Sequence, residues 1–218
     1  MTFSIIGMSA ATGEIGISVA SCIPAVGAVV PWGRAGVGAV ASQGLLNKAM
    51  GPRALSLMID GWSAELTLNE VVRRDRMADQ RQLAIMGAMG KVAQHTGAKT
   101  LAWSGHLSGQ EGDLAWAAQG NILAGSQVLE KMVEAFVLGS EPTRDFSSRV
   151  ISALEAGDRA GGDRRGKQSA ALLVLHPSLP DAPHFDRLVD LRVDDHLEPV
   201  AELRRIYELC RREANNGG

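Results

Sequence analysis

The order in which strand and helix patterns follow one another constrains the fold of this 218-residue chain more than any other feature. Strand patterns come in blocks and helical patterns come in pairs, in the predicted order ββββ, αα, βββ, αα, ββ, α. Such an order excludes the strict β-α alternation of a doubly wound fold. It predicts an α+β fold in which two antiparallel sheets stack and a helix layer covers each of them, a four-layer αββα sandwich.

The strand predictions rest on period-two alternation of small and apolar residues, and the helix predictions rest on capping residues and terminal glycines. We predict strands over 2–8, 14–21, 25–30, 36–43, 82–86, 91–96, 114–119, 169–175 and 187–193. We predict helices over 52–61, 63–74, 126–138, 146–156 and 199–212. Turns or loops are expected at 31–34, 103–106 and 177–183. One domain is expected over 1–213, followed by a disordered tail over 214–218.

The charge balance narrows the range of partners. The chain has 22 Lys and Arg against 24 Asp and Glu, a net charge of −2, which gives no electrostatic support for binding nucleic acid or an anionic membrane. Cys22 and Cys210 are too few for a disulfide framework, and no apolar run reaches the ~18 residues of a membrane helix. A secretory signal pattern is not expected either. We therefore expect a cytoplasmic protein whose partners are neither nucleic acid nor membrane, and a homodimer only by analogy with layered folds.

The first strand pattern begins at Thr2, although chain ends are usually frayed. If Met8 pairs near Glu14 or Ile15 across the following turn, the residue numbers of the partners sum to 22 or 23. Thr2 then lies opposite Ala20 or Ser21, within the accuracy of a register estimate. The pattern therefore predicts that the chain start is held against the end of the second strand.

Threonine at the second position has a chemical consequence. Removal of Met1 is expected before so small a residue, and it would leave a hydroxyl and a free α-amine on Thr2. An α-amine has an unperturbed pKa near ~7.7–8.0, so part of it is neutral at physiological pH and accepts a proton. Threonine with its own N-terminal amine is a recognised activated nucleophile. This makes Thr2 a candidate catalytic residue, against the alternative that Thr after Met is simply common.

Several motifs along the chain resemble one bacterial family. They are TFSI (2–5), GAVVPW (27–32), QGNILAG (119–125), GGDRRGKQSAALLV (161–174) and LRVDDH (191–196). Together they resemble the family called domain of unknown function 1028, which is placed among the N-terminal-nucleophile (Ntn) hydrolases. The resemblance runs from Thr2 to about Tyr207. It implies an Ntn-hydrolase-like αββα sandwich with the nucleophile at the mature N-terminus of a central strand.

The resemblance also implies roles for individual residues, by analogy with proteasome β-subunits. Thr2 matches the nucleophile, and Ser21 matches the place where those subunits keep an acid that orients the site. Gln43 and Gly44 match the backbone donor that binds the oxyanion. Asp163 matches a carboxylate near the nucleophile's amine.

Two positions depart from that pattern. Ser21 is not an acid, and the turn after Pro31 contains no lysine, although the proteasome subunits keep one there that lowers the pKa of the amine. Arg34 is the nearest cation in the sequence, and a guanidinium cannot shuttle protons at neutral pH.

Other polar residues add candidates. Asn121, at the end of an apolar strand, either completes an oxyanion hole or holds a tight strand-to-helix turn. In the glycine-rich loop after the second helix pair, Arg165 either binds a substrate carboxylate or pairs locally with Asp163. The same alternatives apply more weakly to Arg164. His106 is the histidine expected to face a pocket. The remaining histidines singled out, which we expect to be structural or exposed, are His95, His176 and His184.

Metal and cofactor chemistry is not expected. Asp194, Asp195 and His196 are adjacent, and neighbouring strand residues point to opposite faces, so they are expected to end a strand rather than bind a metal. Cys22 lies beside Ser21 but has no histidine partner in the sequence and is expected to pack as a small apolar residue.

These observations lead to two hypotheses. The first is an Ntn-type amidohydrolase that cleaves a small amide or peptide-like bond through an acyl-enzyme on Thr2. Gly44 and Asn121 would stabilise the oxyanion, and Asp163 would lie near the nucleophile. The residues expected around the substrate are Ser21, Gln43, His106 and Arg165. The alternative is a catalytically inactive protein that keeps the fold and binds a small ligand.

Overall fold

The computed structural model describes residues 2–139, 145–177 and 186–216. Within these ranges the chain forms ten strands and five α-helices. The strands are β1 (Thr2–Ser9), β2 (Ile15–Ser21), β3 (Pro31–Arg34), β4 (Gly38–Gly44), β5 (Arg81–Gly87), β6 (Val92–Thr96), β7 (Gly105–Glu111), β8 (Leu114–Asn121), β9 (Ser169–Leu175) and β10 (Arg187–Val193). The helices are α1 (Met50–Ile59), α2 (Ala64–Arg73), α3 (Gln127–Leu138), α4 (Phe146–Arg159) and α5 (Pro199–Asn216).

The strands form two sheets in which every paired strand is antiparallel to its neighbour. One sheet has six strands in the order β10-β9-β2-β1-β8-β7, and the other has four in the order β3-β4-β5-β6. Helices α3, α4 and α5 pack on the six-stranded sheet, while α1 and α2 pack on the four-stranded sheet. The two sheets face each other, so the predicted α+β, αββα arrangement is confirmed.

Each of the three interfaces between layers has its own apolar core. Strand β1 contributes to two of them because successive side chains point to opposite faces. Phe3 and Ile5 pack toward the helices of the six-stranded sheet, and Ile6 and Met8 pack toward the other sheet. A strand covered on both sides needs apolar residues at nearly every position, which explains why β1 is buried along its whole length.

Close packing against helices explains a glycine in this strand. A Cβ placed on Gly7 would lie 2.4 Å from the ring of Phe136 on α3, a distance that no side chain tolerates. Any larger residue at this position would push the helix away from the sheet. The small residue therefore sets how closely α3 approaches β1.

Two sequence predictions for the first block of strands were wrong. Residues 25–30 do not form a strand but contain a short 3-10 helix over Val26–Ala28. The third strand lies instead at Pro31–Arg34, where a turn was predicted. Proline is compatible with a strand at the edge of a sheet, where its missing N–H faces no neighbour, and β3 is such an edge.

Three later predictions also needed correction. Strand β7 begins within the predicted loop 103–106, and its exposed side chains lack apolar alternation. Helix α4 continues through Gly157 to Arg159, because Gly157 packs against Met132 instead of ending the helix. Helix α5 extends to Asn216, into the segment predicted as a disordered tail. His184 and most of the predicted loop 177–183 lie outside the described residues.

Candidate active site

Thr2 begins β1 at one end of the space between the two sheets. It pairs in register with Ser21 on β2 and with Asn121 on β8. Partner numbers in the first hairpin sum to 23, so the predicted register is confirmed. Thr2 Oγ1 lies 3.1 Å from Ser21 Oγ, and Thr2 is only 4% exposed. The hydroxyl of the candidate nucleophile is therefore held by a second hydroxyl, in the position where the analogy expected an acid.

The alternation of ladder bonds fixes the direction of the Thr2 backbone. In antiparallel pairs, residues along a strand bond alternately to one neighbour and to the other. The amide of Ser9 donates to Glu14 after β1 has paired with β2, and the amide of Ala10 donates to Asp113 on the β8 side. Even-numbered residues of β1 therefore bond toward β8, and the Thr2 nitrogen faces Asn121. After removal of Met1, this nitrogen would be the α-amine.

Three buried amide side chains connect Thr2 to the second sheet. Gln43 Nε2 donates to the Thr2 carbonyl oxygen at 3.1 Å and to Gln82 Oε1 at 2.8 Å. Asn121 Nδ2 donates to the same Gln82 oxygen at 3.0 Å. Ser4 Oγ donates to Gln43 Oε1 at 2.8 Å, which fixes the orientation of that amide. Gln43 and Asn121, both predicted site residues, thus meet through one residue that was not predicted.

That residue, Gln82, is fully buried and lies at the centre of the network. Its Nε2 atom has acceptors at Gly105 O and Gly120 O, both 2.9 Å away, and at Thr96 Oγ1, 3.0 Å away. It is the register partner of Gln43 on β5. The one signal in the sequence is a glutamine at the start of an otherwise apolar strand, QLAIM. Its role depends on which strand becomes its neighbour, which alternation alone does not reveal.

Gly44 ends β4 with a backbone that favours glycine. Its φ is +84°, and a Cβ there would lie 2.7 Å from the carbonyl oxygen of Gln80. The amide of Leu45 donates to Gln80 and that of Ala88 to Val37, so odd-numbered residues of β4 bond toward β5. The Gly44 N–H therefore points to the other side of β4, beyond the end of β3.

A small cavity joins several of the predicted residues. It has a volume of about 240 Å³, and its walls include Gly44, Asn121 and Arg165. The other lining residues are Leu45, Gln80, Lys99, Thr100, Leu101 and Ile122. Asn121 is both the strand partner of Thr2 and a wall of the cavity, and it links the two, since Thr2 itself is not among the lining residues.

The wall at Gly44 and Leu45 is braced by an ion pair. Arg81 Nη1 donates to the carbonyl oxygen of Leu45, and Arg81 Nε donates to Asp75 Oδ2 at 2.6 Å. Both side chains are largely buried. The hydrogen bond from Arg81 holds the pKa of the Asp75 carboxyl below its usual range, although partial burial opposes it. The pair therefore stays ionised at neutral pH and holds the loop that follows Gly44.

Another wall of the cavity, at Ile122, contains backbone strain. Ile122 has a φ of 51°, in the left-handed region, where a β-branched residue is unfavourable. Its amide donates to Leu101 O at 3.0 Å, and its carbonyl accepts from the amide of Arg164 at 3.4 Å. Strained residues cluster at ligand and catalytic sites. Nothing in the sequence predicted this conformation, because isoleucine normally indicates an extended backbone.

Asp163 lies close to this wall but binds within its own loop. It forms an isolated bridge with Leu123, two residues after Asn121. Its Oδ1 accepts from the Arg165 amide at 2.8 Å, and its Oδ2 lies 3.5 Å from Arg165 Nη2. The local Asp–Arg pair, one of the two alternatives from the sequence, is therefore present. Both Arg164 and Arg165 are exposed on the loop, but only Arg165 is among the residues that line the cavity.

His106 is connected to the buried amides only indirectly, through Thr96. Its Nδ1 lies 2.8 Å from Thr96 Oγ1, which in turn contacts Gln82. Partial burial lowers the pKa of His106, and the nearby His95 lowers it further. His106 keeps an exposed edge on β7. It thus supports the network from outside.

The remaining candidates are spread over the molecule. Cys22 Sγ donates to the carbonyl oxygen of Arg165 at 3.7 Å, so this thiol borders the Arg165 loop. His95 Nε2 contacts the Ala78 carbonyl at 2.9 Å. Asp195 accepts from Gln168, and His196 Nδ1 accepts from the amide of Glu198. Over the described ranges, no group of three His, Cys, Asp or Glu side chains is arranged to hold a metal ion.

The layers define a class of fold, an αββα sandwich with Thr2 at the start of a central strand. The chain belongs to the family of unknown function DUF1028, whose family model matches residues 2–203. The match begins at Thr2, the residue that starts β1.

Solved structures give a second comparison. Protein SPO2555 from Silicibacter pomeroyi, of the same family, is 34% identical with a TM-score of 0.82, over 95% of this chain and 84% of that chain. Anbu from Hyphomicrobium sp. strain MC1, as a Gly-1 mutant, is 11% identical with a TM-score of 0.45, over 99% and 97%. Anbu (ancestral beta-subunit) from Yersinia bercovieri is 12% identical with a TM-score of 0.40, over 99% and 97%.

A comparison with curated proteins gave no match. Among the helices described, none combines the length and the apolar character needed to cross a bilayer.

Proposed function

We propose that this protein is an Ntn-type amidohydrolase that cleaves a small amide or peptide-like bond. The observation that carries the proposal is the position of Thr2. Its hydroxyl lies 3.1 Å from that of Ser21 at the buried start of β1, and its strand partner Asn121 lines a cavity shared with Gly44. A nucleophile, an amine and two oxyanion donors are therefore available within one region.

The reaction would proceed through an acyl-enzyme. The α-amine of Thr2, free after removal of Met1, takes the proton from Oγ1, and Oγ1 forms a bond to the substrate carbonyl carbon. The C–N bond then breaks, and the leaving amine takes the proton from the Thr2 ammonium group. Water hydrolyses the resulting ester, which returns the proton to Oγ1 and releases the acid.

Two donors are proposed for the oxyanion. The Gly44 N–H points away from β5 at the cavity wall. Asn121 Nδ2 carries two hydrogens, and the bond to Gln82 uses one of them, so the second is available. A single oxyanion donor typically contributes about 10²–10³ in rate.

Ser21 gives this site a different electrostatic balance from the proteasome pattern. A hydroxyl beside Thr2 orients Oγ1 but adds no charge that would shift the pKa of the amine. We therefore expect activity to rise with pH, with a single midpoint, as the α-amine loses its proton. A pH–rate profile of the protein lacking Met1 measures this midpoint.

The test compares three variants with the native protein in labelling by an electrophilic β-lactone. Thr2→Ala should take up no label, whereas Thr2→Ser should keep part of the reactivity because its hydroxyl and amine have the same geometry. Ser21→Ala should be labelled more slowly. Equal labelling of the Thr2→Ala variant at another residue would contradict the proposal.

A binding protein without catalysis is the second candidate. Ser21 at the position expected for an acid favours it, because the site then lacks one part of the proteasome machinery. Purified protein that retains Met1 and carries a ligand in the cavity would support this alternative.

A further inference from the structure

The cavity beside Asn121 has a chemical character that points to a class of substrate. Its walls combine three apolar side chains with two cations, and no carboxylate is among its lining residues in the described chain. The apolar residues are Leu45, Leu101 and Ile122, and the cations are Lys99 and Arg165.

The apolar residues are unusually open to solvent. Leu45 is 45% exposed and Leu101 is 67% exposed, and both lie on the rim of the same concave site. Exposed apolar groups that converge on a cavity are characteristic of ligand sites rather than of ordinary surface. Surrounding residues hold two of these side chains in place. Arg81 donates a hydrogen bond to the Leu45 carbonyl, and Ile122 is held in a strained, left-handed backbone.

The cations have partners that leave them accessible. Arg165 has its guanidinium 3.5 Å from Asp163, whose side chain is fully buried, while the Arg165 side chain is 46% exposed. Most of its five N–H donors therefore remain available for bidentate binding of a carboxylate. Lys99 pairs with Asp79 at 3.1 Å, but both side chains are exposed, and such surface pairs are weak.

We infer that the substrate is a small amide that carries a carboxylate and an apolar group, the chemistry of an N-acyl amino acid. Arg165, with Lys99 nearby, binds the carboxylate, and Leu45, Leu101 and Ile122 contact the apolar group. The cavity volume of about 240 Å³ lies just below the ~300–1,000 Å³ of pockets for drug-sized ligands, which favours a smaller molecule such as this. The bond that is cleaved rests on the proposed function. Binding of this class of ligand in the cavity does not depend on it.

The experiment separates binding from turnover. Hydrolysis of N-acetyl-L-leucine, N-acetyl-L-leucinamide and N-acetylglycine is measured by mass spectrometry with the native protein. Binding of the same three compounds is measured by calorimetry with Thr2→Ala, which cannot form the ester. We expect N-acetyl-L-leucine to be preferred in both assays, since the second compound lacks the carboxylate and the third lacks the apolar group.

Variants identify the residue responsible. Arg165→Gln should weaken binding and hydrolysis of N-acetyl-L-leucine by about tenfold or more and leave N-acetyl-L-leucinamide unchanged, as expected for loss of a charged hydrogen bond. Arg164→Gln is the matched control, because it removes the same charge from an exposed position in the same loop. It should change neither compound by more than about twofold.

Each result has a distinct meaning. Equal affinity for the acid and the amide, equal effects of Arg165→Gln and Arg164→Gln, or no binding of any of the three compounds would overturn the inferred substrate class. If Thr2→Ala binds N-acetyl-L-leucine selectively through Arg165 but the native protein cleaves none of the compounds, the ligand class stands and the proposed hydrolysis fails.

Discussion

The space between the two sheets has two ends that differ in chemistry, although β1 runs through both. Around Ile6 and Met8 it is filled with aliphatic side chains. Around Thr2 and Ser4 it is filled with the buried amides of Gln43, Gln82 and Asn121. Apolar side chains would have stabilised the polar end as well as these amides do. A buried amide offsets the loss of its hydration only when it is fully hydrogen-bonded, so its net contribution to stability is small.

At the Thr2 end, hydrogen bonds that fix the orientation of side chains replace apolar packing. The amides bond to one another, to backbone carbonyls and to the Thr96 hydroxyl, so their orientations are fixed by partners on six strands, β1, β4, β5, β6, β7 and β8. A buried network of this kind specifies a geometry more strongly than aliphatic packing does. The following predictions test whether the polar end serves to position Thr2.

The largest effect is expected for Gly44→Ala at the polar end. The added Cβ meets the Gln80 carbonyl oxygen at 2.7 Å and requires a left-handed backbone, so the free energy of unfolding should fall by about 2–3 kcal/mol. Labelling of Thr2 should also be lost as the loop moves. Gly36→Ala is the control, since its φ of +73° is similar but its Cβ meets no atom within 4 Å. A smaller loss for Gly44→Ala than for Gly36→Ala in chemical denaturation would contradict this account.

Gln82→Met is expected to have the next largest effect. It keeps the length of the side chain but leaves Gln43 and Asn121 without their shared acceptor, at a cost of about 1–3 kcal/mol. Labelling of Thr2 should slow at least in proportion. Ile6→Val, in the apolar end of the same layer, should cost about 0.5–1.5 kcal/mol and leave labelling unchanged. If both variants slow labelling equally, the two ends do not differ in function.

Ile122→Gly should have a smaller effect on stability than truncation of an isoleucine normally has. Glycine adopts a positive φ without strain, and this gain should offset much of the lost side-chain packing, so the free energy of unfolding should change by less than about 1 kcal/mol. Ile122→Val, which keeps the strain, is the comparison variant. A loss of several kcal/mol in the glycine variant would show that the left-handed backbone stores little strain.

The smallest effect concerns pH. The pKa of His106 is lowered in the folded protein, mainly by burial, so between that lowered pKa and the usual value near ~6.5 the unfolded chain binds more protons. Stability should therefore fall slightly as the pH drops through this range. Denaturation of the native protein and of His106→Gln at several pH values measures this dependence, and the difference between the two proteins should become constant above pH ~7.5.

Local patterns in the sequence were enough for the layer order and for the register of the first hairpin. Thr2 could be placed opposite Ser21 because a tight turn and strict alternation leave little freedom. The third strand was misplaced because Pro31 indicates a turn unless the strand lies at an edge, and position in a sheet is a tertiary property. Strand β7 was missed because an exposed edge strand needs no apolar alternation.

The site was less predictable than the fold for a physical reason. Thr2 could be proposed from the strand that begins at it and from the chemistry of an N-terminal threonine. Asn121 could be proposed from its place at the end of an apolar strand, and Gly44 from the family resemblance. Gln82 could not, because its importance comes from partners on other strands that are distant in the sequence. Strain at Ile122 likewise depends on the loop that packs against it.

The most direct measurement is the intact mass of the purified protein, with the modified residue mapped after brief exposure to a β-lactone. The account predicts loss of Met1 and a single adduct on Thr2. A chain that still begins with Met1, or a free Thr2 that takes up no probe while the protein remains folded, would contradict it.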